Sequence, residues 1–249
     1  MSMKISSEIN MKAIVIKNKR DINLEKVLIP KPKNDEILIK VAAAAICHTD
    51  FVAIDGEHSM IKYPFIPGHE FSGIVEEVGN SVWHIKPGDR VTALGYSYCG
   101  ICHACRRGIQ TACEKFIGIP FHYNGAFAQY IVVPSISVYQ ISDSLRFEDA
   151  ALVEPAANAF SIVERAGIYP GENILIAGPG PIGLFATQFA ALKIPNKLIM
   201  TGTRDERLDV AKKLGATDII NIKKENIGKR INKITDDRGI DVILYCGGG

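Results

Sequence analysis

No apolar run in these 249 residues approaches the length of a membrane span; Ala42 to Cys47, the most conspicuous, is far too short. Met1 to Asn10 lacks the apolar core of a secretory signal peptide. No internal repeat or low-complexity tract is present. The chain also lacks any concentration of one charge. Its 29 Lys and Arg face 27 Asp and Glu, a formal net charge of +2, which leaves no basic footprint for nucleic acid. Cysteines number six, and four of them crowd between Cys99 and Cys113, too close together for a sensible disulfide framework. Thiolates used as metal ligands suit a reducing compartment, so the expected location is the cytoplasm. What remains, 47% apolar and 22% charged residues, describes a globular chain of one large or two ordinary domains.

The first half reads as β-rich. Lys12–Ile16, Ile22–Ile29 and Glu36–Val41 are short strand-like runs broken by Pro30, Pro32 and Asn34-Asp35. Gly73–Gly79, Asp89–Ala93 and Phe127–Val133 continue the pattern, and together they suggest a small irregular barrel. From Phe147 the period becomes helical, with Ala157, Phe160 and Val163 on one face despite Pro155. Beyond Asn173 the chain alternates. Strands are expected at Asn173–Ala177, Lys197–Thr201, Asp218–Ile220 and Asp241–Tyr245, with helices at Pro181–Leu192, Asp205–Leu214 and Glu225–Thr235. Such alternation implies right-handed βαβ crossovers and a parallel sheet. The expected division is therefore a β-rich domain over 1–153 and an α/β dinucleotide-binding domain over 154–249. About four strands are visible where such a sheet usually has about six, so this domain is expected to be incomplete.

Cys99, Cys102, Cys105 and Cys113 form a C-x2-C-x2-C-x7-C run. That spacing lets one loop wrap four thiolates around a single structural zinc. Upstream, Cys47 can offer a thiolate and His69 an imidazole; Glu70, and Glu154 farther on, can offer carboxylates. Three protein ligands and one exchangeable position would let a metal polarise an alcohol hydroxyl. Thr49, two residues after Cys47, is placed to take the hydroxyl proton.

Gly178-Pro179-Gly180-Pro181-Ile182-Gly183 follows an expected strand and opens an expected helix. In a dinucleotide site the first glycine permits the tight turn and the second lets the backbone approach the pyrophosphate. The third allows strand and helix to pack closely. The helix N-terminus offers unpaired N–H groups to the phosphates. A carboxylate about 20 residues later would hold the adenosine ribose of NAD. Aligned on Arg207-Leu208, that position is Gly202, followed by Thr203 and Arg204. A hydroxyl and a guanidinium suit a 2′-phosphate, so NADP is favoured over NAD. If Asp205 or Glu206 turned back toward the ribose, NAD would be favoured instead.

Gly68-His69-Glu70-Phe71-Ser72-Gly73-Ile74-Val75, Gly88-Asp89-Arg90-Val91 and the cysteine run resemble the zinc-containing medium-chain dehydrogenase/reductase (alcohol dehydrogenase) family across nearly the whole chain. Leu152-Val153-Glu154-Pro155 is similar to the sorbitol and threonine dehydrogenase branch. The resemblance implies a GroES-like catalytic domain followed by a Rossmann domain. It implies two zinc ions, one structural and one catalytic. Cys47 and His69 would be catalytic ligands, with Glu70 and Glu154 as direct or water-mediated ones. His48 would lie near the cofactor pyrophosphate. The implied activity is hydride transfer between a secondary alcohol or polyol and NAD(P), in a homodimer or homotetramer. The competing expectation is a catalytically silent or truncated zinc- and nucleotide-binding relative. One departure stands out. Family members often carry a histidine three residues after the relay Ser/Thr, and here that residue is Val52. The proton must then leave through the cofactor ribose, another histidine or solvent.

Overall fold

The computed structural model describes residues 10–247; the stretch Met1–Ile9, over most of which the lack of a signal core was read, lies outside the described residues. The chain divides into two compact units between Glu154 and Pro155. The first unit contains strands β1 (Asn10–Asn18), β2 (Asp21–Leu28) and β3 (Glu36–Ala45), helix α1 (His48–Ile54), and strands β4 (Glu70–Val78), β5 (Arg90–Ala93) and β6 (Tyr96–Ser97). It continues with the short helix α2 (His103–Arg106), strands β7 (Ile117–Gly118), β8 (Tyr130–Pro134) and β9 (Val138–Gln140), and the one-turn helix α3 (Phe147–Ala150).

Five of these strands form one antiparallel sheet in the order β8-β3-β4-β5-β9, while β1-β2 and β6-β7 are separate pairs. Alternation along β3 and β4 sends Ile37, Ile39, Phe71 and Val75 into one core with Val91 and Val133. The β3–β4 register shifts between Leu38 and Ile39 and again between Val41 and Ala43. Such bulges bend the sheet and strengthen its twist. This is where β3 runs out toward Cys47 and β4 begins at Glu70.

Helix α4 (Val153–Arg165) spans the division. Pro155 lies in its first turn, where a missing N–H breaks no intrahelical bond, so the proline is tolerated. The second unit then alternates β10 (Asn173–Ala177), α5 (Pro181–Ala191), β11 (Lys197–Gly202), α6 (Asp205–Lys213), β12 (Asp218–Asn221), α7 (Ile227–Thr235) and β13 (Val242–Tyr245). All four strands are parallel, in the order β12-β11-β10-β13. One face is covered along all four strands and the other over β10, β11 and β12, while Ile243 and Tyr245 of β13 stand exposed. Ile174, Ile176, Leu198 and Met200 pack with Ala186 and Leu208 on one side. Leu175, Ile199 and Ile220 pack with Ile234 on the other.

The strands and helices of the second unit fall within a residue or two of their expected positions. Helix α1 had no counterpart in the expected elements. Its seven residues start directly after a cysteine, and two turns are too few for an apolar periodicity to stand out in the sequence. Among the described residues, no helix is long and apolar enough to cross a membrane.

Candidate metal centres and dinucleotide site

Cys47 stands at the N-cap of α1, with extended backbone at φ −94° and ψ 155°. Asp50, one turn on, accepts the Cys47 N–H at 2.9 Å and the Gly68 N–H at 3.0 Å. The same buried carboxylate lies 3.5 Å from Nδ1 of His69. Asp50 thus ties the start of α1 to the Gly68-His69 turn that leads into β4. With Nδ1 facing Asp50, the other ring nitrogen of His69 is left for the Cys47 side. One ligand atom each from Cys47, His69 and Glu70 fall within 4.8 Å of one another. The Thr49 hydroxyl is 3.7 Å from the Cys47 sulfur.

Glu154 falls outside that tight cluster but close to it. A Cβ on Gly95 would lie 3.3 Å from Oε1 of Glu154 and 3.3 Å from Cδ2 of His69. Gly95 therefore keeps the space between these two side chains clear. His48 is the first residue of α1, with its side chain exposed.

The charges at this centre suit a cation. Burial opposes a positive charge on His69, yet the Asp50 carboxylate and the Cys47 sulfur outweigh it and push its pKa up to about 10. Burial pushes the Glu70 carboxyl up from its ordinary value. The buried Asp50 carboxylate and the Cys47 sulfur thus favour positive charge at the imidazole. A divalent cation would satisfy the same field. Nδ1 of His69 is buried and has no hydrogen bond of normal geometry, so the ring is held by a long contact alone. The donor set fits zinc.

The cysteine lobe fits a second ion. Sγ of Cys99 and Cys105 are 4.0 Å apart, as are Sγ of Cys102 and Cys113. Four thiolates on one tetrahedral zinc stand about 3.8 Å from each other, whereas disulfide sulfurs are about 2 Å apart. Backbone N–H groups point at the sulfurs: Cys99 and Lys115 donate to Cys113 at 3.3 and 3.2 Å, and Cys102 donates to Cys99 at 3.4 Å. Backbone donors lower the Cys102 thiol to about 6, while burial and the neighbouring sulfurs push Cys105 up to about 12. Four thiols so close do not all ionise without a cation between them.

In the second unit the glycine motif lies between β10 and α5. Gly178 has φ +108°, and a Cβ there would strike the backbone of Gly247 at 2.7 Å. Gly180 is the N-cap of α5, and nothing lies within 4 Å of where its Cβ would project. Pro181 takes N1, where no N–H is needed. The first-turn donors of Ile182 and Gly183 have no carbonyl within the helix to bond. A Cβ on Gly183 would overlap the carbonyl oxygen of Gly178. The loop has the open backbone, free donors and close helix approach that a pyrophosphate needs.

Gly202 ends β11, and a Cβ there would meet the Pro179 ring at 2.6 Å. Thr203 and Arg204 follow with exposed side chains. Asp205, whose orientation bears on cofactor choice, is bonded to Asn221 at 2.7 Å and Lys224 at 2.6 Å.

Residues 33–143 match the model of the alcohol dehydrogenase GroES-like domain, and residues 181–249 match that of the zinc-binding dehydrogenases. A sorbitol dehydrogenase of Bacillus subtilis strain 168 is 41% identical over 96% of this chain and 69% of its own length. The chain belongs to the zinc-containing medium-chain alcohol dehydrogenase family. A D-arabitol-phosphate dehydrogenase of Enterococcus avium is 39% identical over 88% of this chain and 63% of its own length. Among solved structures, an alcohol dehydrogenase of Escherichia coli CFT073 complexed with NADH superimposes with a TM-score of 0.89 at 28% identity. That match covers 96% of this chain and 70% of the other. The chain thus spans about two thirds of the length of such dehydrogenases.

Asp50 and Gly95 are the site residues that the sequence reading missed. Asp50 had a signal, since an acidic residue at the third position after a helix N-cap is a capping pattern. Gly95 had none, because its role exists only in three dimensions.

Proposed function

We propose that the protein is a zinc-dependent oxidoreductase that passes a hydride between a secondary alcohol or polyol and NADP. The observation that carries this reading is the convergence of Cys47, His69 and Glu70 within 4.8 Å, with the Thr49 hydroxyl beside the Cys47 sulfur. Cys47, His69 and Glu70, with Glu154 direct or through water, would hold the catalytic zinc; Cys99, Cys102, Cys105 and Cys113 would hold a structural one. When bound, the catalytic zinc supplies Lewis acidity that makes an alcohol hydroxyl acidic near neutral pH. Thr49 Oγ1 accepts the hydroxyl proton as the carbon loses its hydride, so the C–O single bond becomes a carbonyl. Val52 cannot pass the proton on, and Thr49 discharges it through the cofactor ribose, a histidine such as His48, or solvent. Gly178, Gly180, Pro181, Ile182 and Gly183 cradle the pyrophosphate. Gly202, Thr203 and Arg204 form the end that receives the 2′-phosphate.

Sorbitol- and polyol-phosphate-acting relatives support a polyhydroxylated substrate. An intact homodimer or homotetramer in the cytoplasm completes the proposal. The test is absorbance at 340 nm while the zinc-replete protein meets secondary alcohols, sugar alcohols, polyol phosphates and threonine, with NAD and NADP in parallel. A rise faster with NADP and a polyol is the expected outcome. No rise with any member, zinc being bound, overturns the enzymatic reading.

A further inference from the structure

Asp205 is the carboxylate nearest in sequence to the Gly202-Thr203-Arg204 turn, and both of its oxygens are engaged. Its Oδ1 accepts from Nδ2 of Asn221 at 2.7 Å and its Oδ2 from Nζ of Lys224 at 2.6 Å. Asn221 is fixed in turn, because its Oδ1 accepts the Lys223 N–H at 3.0 Å, and the residue itself is buried. Both holders come from the C-terminal end of β12 and the turn after it. That end lies beside the C-terminal end of β11, where Gly202 pairs with Asn221. Among the described residues, the Arg204 guanidinium has no ion pair with Asp205 or any other carboxylate. A free Asp205 would compete for that guanidinium and would set a negative charge beside an incoming phosphate.

We infer that Asn221 and Lys224 are positioning residues for cofactor choice: they clamp and neutralise Asp205, so that the Gly202–Arg204 turn presents to a ribose 2′-phosphate a cation that Asp205 does not oppose. This rests on the reading that the turn receives that phosphate. Asp205 also opens α6, where a carboxylate favours the helix dipole. A purely structural clamp would change stability alone and leave cofactor discrimination untouched.

The experiment is titration of the full chain with NADPH and with NADH, followed by their fluorescence, in the wild type and in Asn221→Ala/Lys224→Gln. Melting temperature is recorded for each variant. Release of the clamp lowers the ratio Kd(NADH)/Kd(NADPH) by about three-fold or more, the scale of an exposed charge pair. Adding Asp205→Asn to the double variant restores the ratio, because the freed charge is gone. Competition by 2′,5′-ADP weakens in the double variant and recovers in the triple one, whereas competition by 5′-AMP stays level. An unchanged ratio in the double variant overturns the inference. So does a lowered ratio that Asp205→Asn fails to restore, since the lost lysine charge would then be the cause. Wild-type protein that binds NADH more tightly than NADPH sinks the NADP reading instead. The change in ratio on release still decides the clamp in that case.

Discussion

Asp50 makes the point at the residue scale. It binds two backbone N–H groups, at Cys47 and Gly68, and faces the His69 ring. Supporting carboxylates of this kind orient a ligating imidazole, and their loss typically costs about ten- to a hundred-fold in metal affinity. Asp50→Asn keeps the size of the side chain but removes the charge. Its expected result is a weakening of that order in zinc competition against a chromogenic chelator, together with a lower melting temperature, because the amide has one oxygen for the two backbone N–H groups that Asp50 accepts. Full zinc affinity in the variant would show that Asp50 only caps α1. Gly202 carries a second prediction. A lone Gly202→Asp does not convert the protein to NAD. Its Cβ meets the Pro179 ring at 2.6 Å, and overpacking of this kind costs about 1–3 kcal/mol. Only together with Pro179→Ala should the new carboxylate raise NADH affinity. Parallel NADH titrations of the single and double variants check it. The sequence announced the glycine at 202, but not that the proline of its own phosphate loop demands it.

At the scale of elements, β3 begins with a buried charge. Glu36 accepts from the Tyr123 hydroxyl at 2.6 Å and from the Lys33 N–H at 2.9 Å. Burial works against its ionised form, but Tyr123 and Lys33 outweigh it and hold the carboxyl below its ordinary value. The folded value thus lies below the unfolded one, near 4.3. The stabilisation is complete above the unfolded value and is lost as the pH falls through the folded one. Glu36→Gln should cost about 1–3 kcal/mol at pH 7, and the gap from wild type should close as urea midpoints are followed toward pH 3. A gap constant with pH would show that the charge on Glu36 contributes nothing. The alternation of strands and helices after Asn173 was readable because each element is long enough to show its period. The metal-bearing elements were not. Helices α1 and α2 have two turns and one, and local bonds such as those of Asp50 at the start of α1 place them, which an apolar period does not reveal.

The whole molecule pairs a β-rich unit holding two cysteine-containing clusters with a parallel α/β unit holding the glycine loop. Four cysteines within fifteen positions mark one cluster in the sequence, whereas the Gly-His-Glu turn is a weak signal alone and gains weight only beside the family resemblance. Distances within a cluster were beyond it, as was the exclusion of Glu154 from the tightest group. Metal counting belongs at this scale. The intact protein should carry two zinc ions per chain by elemental analysis, and Cys102→Ser/Cys105→Ser should carry one. Cys47→Ser should also carry one, yet remain as stable as wild type to heat, whereas the lobe variant melts lower. Equal melting of the two would refute the division into catalytic and structural ions.

The backbone contact between Gly178 and Gly247 has a consequence for synthesis on the ribosome. Strands β10 and β11 can pair once residue 202 has emerged, but β13, the other neighbour of β10, arrives about forty residues later. Until Cys246-Gly247 docks, the turn at Gly178 is held by its N–H bond to the Thr201 carbonyl but lacks the segment that packs on its other side. A nascent chain halted before β13 would thus display a partly paired sheet and an unset phosphate loop. The cofactor cradle is thus made of residues far apart in order of synthesis, the glycines of the β10–α5 turn and the Cys246-Gly247 segment that packs on them.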